Sequence, residues 1–256
     1  AEVAFSPTSI EFTTSNWSTL QAINVGAVDD KLVRDDSFMM TGTFTSPDSL
    51  YNALALEDLT SITIDDDDAV GLTVVVDVAF SGGIPEADAT GTDFMTIELT
   101  AEPTNPVTIT FVDASAEVTY EVSAVTFTAG DWSTKQTIDV GAVDDDFDRD
   151  DSFMMTGTFT SGDGLYDALG LQNIVSIDIT DDDVVGIEAT INTGSFPTGL
   201  PETDAVGTAY VSFKLTAEPV GAVTIAFTAV AAEVAFSPTS IEFTTSNWST
   251  LQAINV

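Results

Sequence analysis

The chain repeats itself, and that restricts its fold more than any other feature of the sequence. Residues 10–71 match residues 125–186 at a constant offset of 115, without a gap. FTTSNWSTLQAINVGAVDDKLVRDDSFMMTGTFTS from Phe12 stands beside FTAGDWSTKQTIDVGAVDDDFDRDDSFMMTGTFTS from Phe127. IPEADATGTDFMTIELTAEP from Ile84 pairs more loosely with LPETDAVGTAYVSFKLTAEP from Leu200, at an offset of 116. Residues 1–25 then return letter for letter as residues 232–256. A period near 115 has the size of a whole domain; a solenoid unit would span ~20–50 residues. The expected organisation is therefore a C-terminal part of one repeat over 1–70, a complete repeat over 71–185, and an N-terminal part of the next over 186–256. The identical overlap reads most simply as a window on a tandem array with a two-repeat unit of 231 residues.

Within one repeat the pattern is that of strands. Thr73–Val78, Phe94–Leu99, Val107–Phe111, Val118–Val122, Thr137–Val140, Phe153–Phe159 and Ile174–Ile179 are short runs dominated by Val, Ile, Thr and Phe. Gly, Pro, Asp and Ser punctuate them, which is how strands and their turns read. Only the stretch around Leu165–Leu171 has the character of a helical turn. About seven strands in a repeat this size predict an all-β fold of tandem, immunoglobulin-like antiparallel β-sandwiches.

Charge removes several functions. The chain carries 42 acidic against 5 basic side chains, a net charge of −37. Phosphate recognition needs Lys and Arg, so nucleic acid is not an expected partner. An anionic membrane surface would repel the chain, and no apolar run reaches the ~18 residues of a membrane span. A 44% hydrophobic content argues against disorder despite the charge. With neither Cys nor His, thiol or imidazole catalysis and Cys/His zinc sites cannot be built. The remaining ligands are oxygens, which suit hard cations and calcium above all.

At this point the residues carry a resemblance. VTFTAGDWSTKQTIDVGAVDDDFDRDD followed by SIDITDDD, together with LPETDAVGTAYVSFKLTAEP upstream, is similar to the Calx-beta domain, over essentially the whole chain. That family includes calcium-sensing regions of exchangers and tandem modules of bacterial surface proteins, and this Asp-rich, Lys-poor wording is closer to the second group. The resemblance implies that the opening acid, the middle cluster and the terminal Asp run meet at one end of the sandwich.

Acid is concentrated at three places per repeat: Glu86 and Asp88, repeated as Glu202 and Asp204; Asp144, Asp145, Asp146 and Asp148, matched by Asp29 and Asp30; and Asp181, Asp182 and Asp183, matched by Asp66, Asp67 and Asp68. Adjacent like charges repel by about 1 kcal/mol per pair at 4 Å even in bulk water. A calcium ion with its 6–8 oxygen ligands would offset that repulsion. A solvated acidic surface is the plainer explanation of such runs. The copies differ at one informative place, where Asp146 and Asp148 become Lys31 and Val33; the 1–70 copy should bind fewer ions or bind them more weakly. DDDFDRDD lacks the glycine and final glutamate of an EF-hand. The recurring Trp17, Trp132 and Trp248 are expected to pack on a core or sheet edge, the alternative being a sugar-stacking platform.

These readings converge on a structural, calcium-binding module of an extracellular filament or cell-surface adhesin, not an enzyme. Calcium would stiffen the domain ends, and neighbouring repeats or identical subunits would be the partners, with a cell-surface or carbohydrate target left open. A calcium-sensing module of a larger signalling protein is the alternative. A carboxylate-pair glycosidase is disfavoured because the acids recur in clusters in every copy.

Overall fold

The computed structural model of the chain describes residues 3–112, 117–201, 208–228 and 234–256. The first part holds strands β1 (Val3–Ser6), β2 (Asn24–Ala27), β3 (Asp36–Thr43) and β4 (Leu56–Ile64), with a one-turn helix α1 (Ser49–Asn52) between the last two. The central part runs β5 (Leu72–Val76), β6 (Ile84–Pro85), β7 (Met95–Leu99), β8 (Val107–Val112), β9 (Val118–Tyr120), β10 (Ala124–Phe127), β11 (Gln136–Ile138), β12 (Val140–Ala142), β13 (Asp151–Ser161), α2 (Gly164–Asp167) and β14 (Leu171–Thr180). The last part adds β15 (Ile187–Ile191), β16 (Ala209–Leu215), β17 (Val223–Ala226), β18 (Ser240–Phe243) and β19 (Gln252–Asn255). The protein is all-β.

In the central part a five-stranded sheet, β10-β8-β13-β14-β6, and a three-stranded sheet, β11-β7-β5, are joined by a small β12-β9 pair. Alternation does the packing. Met95, Ile97 and Leu99 of β7 face Val107, Ile109 and Phe111 of β8, and all are buried. Phe127, Ile138, Phe153, Met155, Ile177 and Tyr166 complete one core fed by both sheets, the arrangement of a sandwich. The Tyr166 hydroxyl donates to the Ala101 carbonyl at 2.7 Å and accepts from the Ala101 N–H at 3.2 Å, so this buried loop end is pinned to the helical turn. The sequence pattern locates most of these strands, but Thr137–Val140, expected as one strand, is split at Asp139 between β11 and β12, and other places differ too. Val78 belongs to a short 3-10 turn because the Asp77 side chain accepts from the Ala79 N–H. Strands β6 and β10 were not expected, and β6 pairs with β14 in parallel while the other pairs among the described residues are antiparallel.

The first part repeats the β13-α2-β14 hairpin as β3-α1-β4, down to a bulge after Met40 where the second has one after Met155. Among the described residues β3 pairs only with β4. Tyr51 is 60% exposed where Tyr166 is fully buried, and Trp17 is exposed where Trp132 packs on the core. The last part has its own small core around Ile241, Phe243 and Ile254, with Trp248 against it.

Candidate cation site at the repeat junction

The parallel contact of β6 with β14 builds the site. Ile84 lies beside Ile179 and Pro85 beside Thr180, so the next residue on each strand, Glu86 and Asp181, also become neighbours. The Glu86 N–H donates to the Thr180 carbonyl at 2.9 Å, which fixes the alignment. Carboxylate oxygens of Glu86, Asp181 and Asp182 lie within 4.8 Å of one another.

Glu86 is only 3% exposed. Its Oε1 accepts the Asp145 N–H at 3.0 Å, while its buried Oε2 has no hydrogen-bond partner among the described residues. Burial pushes its carboxyl above the ordinary glutamate range; the Asp145 N–H opposes that shift, and the charges of Asp145 and Asp181 add to it. A buried anionic oxygen without a donor is costly, and a cation would satisfy it.

Asp183 shows the same state. Its Oδ2 is buried and has no hydrogen-bond partner among the described residues, and burial raises its carboxyl, with Asp181, Asp146, Asp182 and Asp144 adding repulsion. The Asp run is folded by its own side chains: the Asp183 N–H donates to Asp181 Oδ1 at 2.9 Å and the Asp181 N–H to Asp150 Oδ1 at 3.1 Å. Asp148 reaches across, its Oδ2 accepting the Val185 N–H at 2.6 Å. The middle and terminal clusters therefore share one end of the unit with Glu86.

The corresponding place in the first part is occupied by a side chain. Lys31, at the position of Asp146, puts its ammonium 3.1 Å from Asp68 Oδ1 and 3.6 Å from Asp29 Oδ2. Asp68 is the counterpart of Asp183. Oxygens of Asp29, Asp67 and Asp68 again lie within 4.8 Å of one another, with Asp66 accepting the Asp68 N–H. Asp30 lies outside that group and accepts the Leu32 N–H at 2.9 Å.

A third group, Glu117, Asp145 and Asp151, also falls within 4.8 Å, but it already holds a cation. The Arg149 guanidinium lies 3.3 Å from Asp145 Oδ2 and 3.1 Å from Asp151, above the Phe147 ring. Glu117 stands alone in its sequence neighbourhood, and nothing there marks it as part of a cluster.

Asp88 does something different from what its sequence position suggests. One of its oxygens accepts from the Gly91 N–H, the Thr90 N–H and the Thr90 hydroxyl, at 3.0, 3.1 and 3.0 Å. Those donors hold its carboxyl below the usual aspartate range. It ties a loop and belongs to none of the three groups. Gly91 has φ +46°, and a Cβ there would lie 1.5 Å from the Val140 carbonyl oxygen, so the loop sits directly on β12. Glu202 and Asp204 lie outside the described residues.

Both acidic ends abut the following part of the chain through the same contacts. The Glu102 N–H donates to the Lys31 carbonyl at 2.7 Å, and the Glu218 N–H to the Asp146 carbonyl at 2.6 Å. Thr100 and Thr216 donate their hydroxyls to the Ala69 and Val184 carbonyls, each at 2.6 Å. No family model matches the chain, and no curated protein sequence matches it.

Proposed function

We propose that this chain is a structural, calcium-binding repeat module of Calx-beta type from an extracellular filament or cell-surface adhesin, with calcium held where one repeat meets the next. The observation that carries the reading is the exchange of Asp146 for Lys31. Where the lysine is present, its ammonium satisfies Asp68. Where it is absent, the equivalent Asp183 and the neighbouring Glu86 keep buried oxygens without partners among the described residues. A divalent cation meets the same need with more ligands. Asp181, Asp182, Asp183 and Glu86 are its natural first ligands, with Asp144, Asp146 and Asp148 converging from the β12–β13 loop. Oxygen-only donors, several of them carboxylates, favour calcium over softer ions.

The structural role follows from where the acids lie. The loop that presents Asp146 also bonds the next repeat through Glu218, and Asp148 bonds Val185 in the connection itself. An ion in this loop would hold the angle between repeats, and a net charge of −37 would otherwise push them apart. Calorimetric titration with calcium tests the reading directly. The parent chain should bind calcium, and Glu86→Gln, which keeps an acceptor for the Asp145 N–H but removes the charge, should weaken binding at least about tenfold. Absence of calcium binding by the parent in low salt would refute it.

A further inference from the structure

The two joints between successive parts of the chain are built alike, although their acidic loops differ. At the first joint the Thr100 hydroxyl donates to the Ala69 carbonyl at 2.6 Å, the Thr100 N–H to the Gly71 carbonyl at 3.2 Å, and the Glu102 N–H to the Lys31 carbonyl at 2.7 Å. At the second, Thr216 and Glu218 make the same three bonds to Val184, Gly186 and Asp146, at 2.6, 3.1 and 2.6 Å. Each set of donors comes from one four-residue corner, Thr100-Ala101-Glu102-Pro103 or Thr216-Ala217-Glu218-Pro219. Every acceptor in these bonds is a main-chain carbonyl. The exchange of Lys31 for Asp146 therefore leaves the contact as it was.

The central unit holds its own corner rigid from within. Ala101 is buried, and its N–H and carbonyl are both bound by the buried Tyr166 hydroxyl. Pro103 is buried, and the buried Asp163 carboxylate accepts from the Thr104 N–H and hydroxyl at 2.8 and 2.9 Å. Donors fixed in advance lose little further freedom on docking. Val70, in the first connection, also packs on the central core. We propose that this corner is a docking surface whose partner is the acid-loop end of the preceding repeat, and that its hydrogen bonds to main-chain carbonyls fix the direction of one repeat on the next without a bound cation. Thr100 and Thr216 act through their hydroxyls, and Glu102 and Glu218 through their N–H groups, not their carboxylates. The inference stands apart from the calcium reading: an ion would brace the loop that is gripped, whereas the grip is made by uncharged donors and acceptors.

Amide hydrogen exchange of the full chain, read by NMR in chelator, tests this most directly at the first joint, where Lys31 already places an ammonium among the acids. The Glu102 amide should be protected in the parent. Thr100→Val keeps the shape but removes the hydroxyl; it should speed exchange at Glu102 about fivefold while β7 and Glu218 keep their parent rates. Thr216→Val should do the reverse, at Glu218 alone. Thr100→Ser, which retains the hydroxyl, and Glu102→Gln, which retains the N–H, should both exchange like the parent. The chain contains no cysteine, so spin labels on Ser61→Cys and Thr137→Cys, both at exposed positions, report the first joint alone. They should give one narrow distance distribution, broadened by Thr100→Val. An unprotected Glu102 amide or a broad distribution in the parent overturns the inference, whether or not the chain binds calcium. So does exchange at Glu102 that ignores the hydroxyl, or a change there that β7 shares equally.

Discussion

Replacing Asp146 by Lys copies into the second junction the solution already present in the first, and it separates a cation site from a merely acidic surface. In the parent, buried oxygens of Glu86 and Asp183 lack partners among the described residues, and Asp146 is one of the charges that repel Asp183. The new ammonium should reach Asp183 as Lys31 reaches Asp68, at about the same 3.1 Å. In chelator the variant should therefore melt at or above the parent. With calcium the order should reverse. A site occupied at 100 times its Kd adds about 2.7 kcal/mol, which for a unit of this size raises the melting temperature by roughly 10 °C. The parent should show that rise and the Lys variant should lose most of it, with one fewer ion bound in calorimetry. The assay is thermal unfolding followed by circular dichroism, in chelator and across a calcium series at fixed ionic strength. An equal calcium-dependent rise in both proteins would refute the reasoning, as would a variant less stable than the parent in chelator.

Three other outcomes are expected. Phe127→Ala should cost about 3–5 kcal/mol in denaturant unfolding, because Phe127 is fully buried, whereas Phe12→Ala, at a 54% exposed position, should stay within about 0.5 kcal/mol. Tyr166→Phe should cost about 1–3 kcal/mol by leaving the Ala101 N–H and carbonyl without their partner; a smaller loss would mean that water replaces the hydroxyl. Asp163 is held below the ordinary aspartate range: burial opposes ionisation, but donors from Thr104 and Leu165 outweigh it. Its contribution is thus present above the unfolded aspartate value and lost as pH falls through the lower folded value, so Asp163→Asn should flatten the acid limb of a stability–pH profile.

The fold class was legible in the residues because strand alternation and turn chemistry are local signals. Phe94–Leu99 and Val107–Phe111 carry their inward face in their own spelling. The acidic groups were legible as runs. Their convergence was not written in the runs themselves and was expected only from the family resemblance; it depends on Ile84-Pro85, two residues with no periodicity to read, pairing in parallel with the end of β14. That contact alone makes Glu86 a buried neighbour of Asp181. For the same reason Asp88, equally acidic and two residues on, could not be told apart from Glu86: which of them ties a loop is decided by where Thr90 and Gly91 place their N–H groups.

The twenty-five residues that occur twice divide the two contributions most sharply. Thr13 and Thr244 both donate their N–H to the asparagine three residues on, at 2.5 and 2.6 Å. Gln21 and Gln252 both reach back to a glutamate carbonyl, at 2.7 and 2.8 Å. Those turns belong to the sequence itself, since every partner lies within ten positions. Strand formation does not. Ser240–Phe243 is a strand with Phe243 fully buried, because β17 lies alongside it; the identical Ser9–Phe12 forms none, and its Phe12 stands exposed. Gln252–Asn255 pairs with β16, while Gln21–Ile23 has no such neighbour and forms no strand. A strand's hydrogen bonds and its buried face are both supplied by other segments, so the same letters fold differently wherever the partner differs.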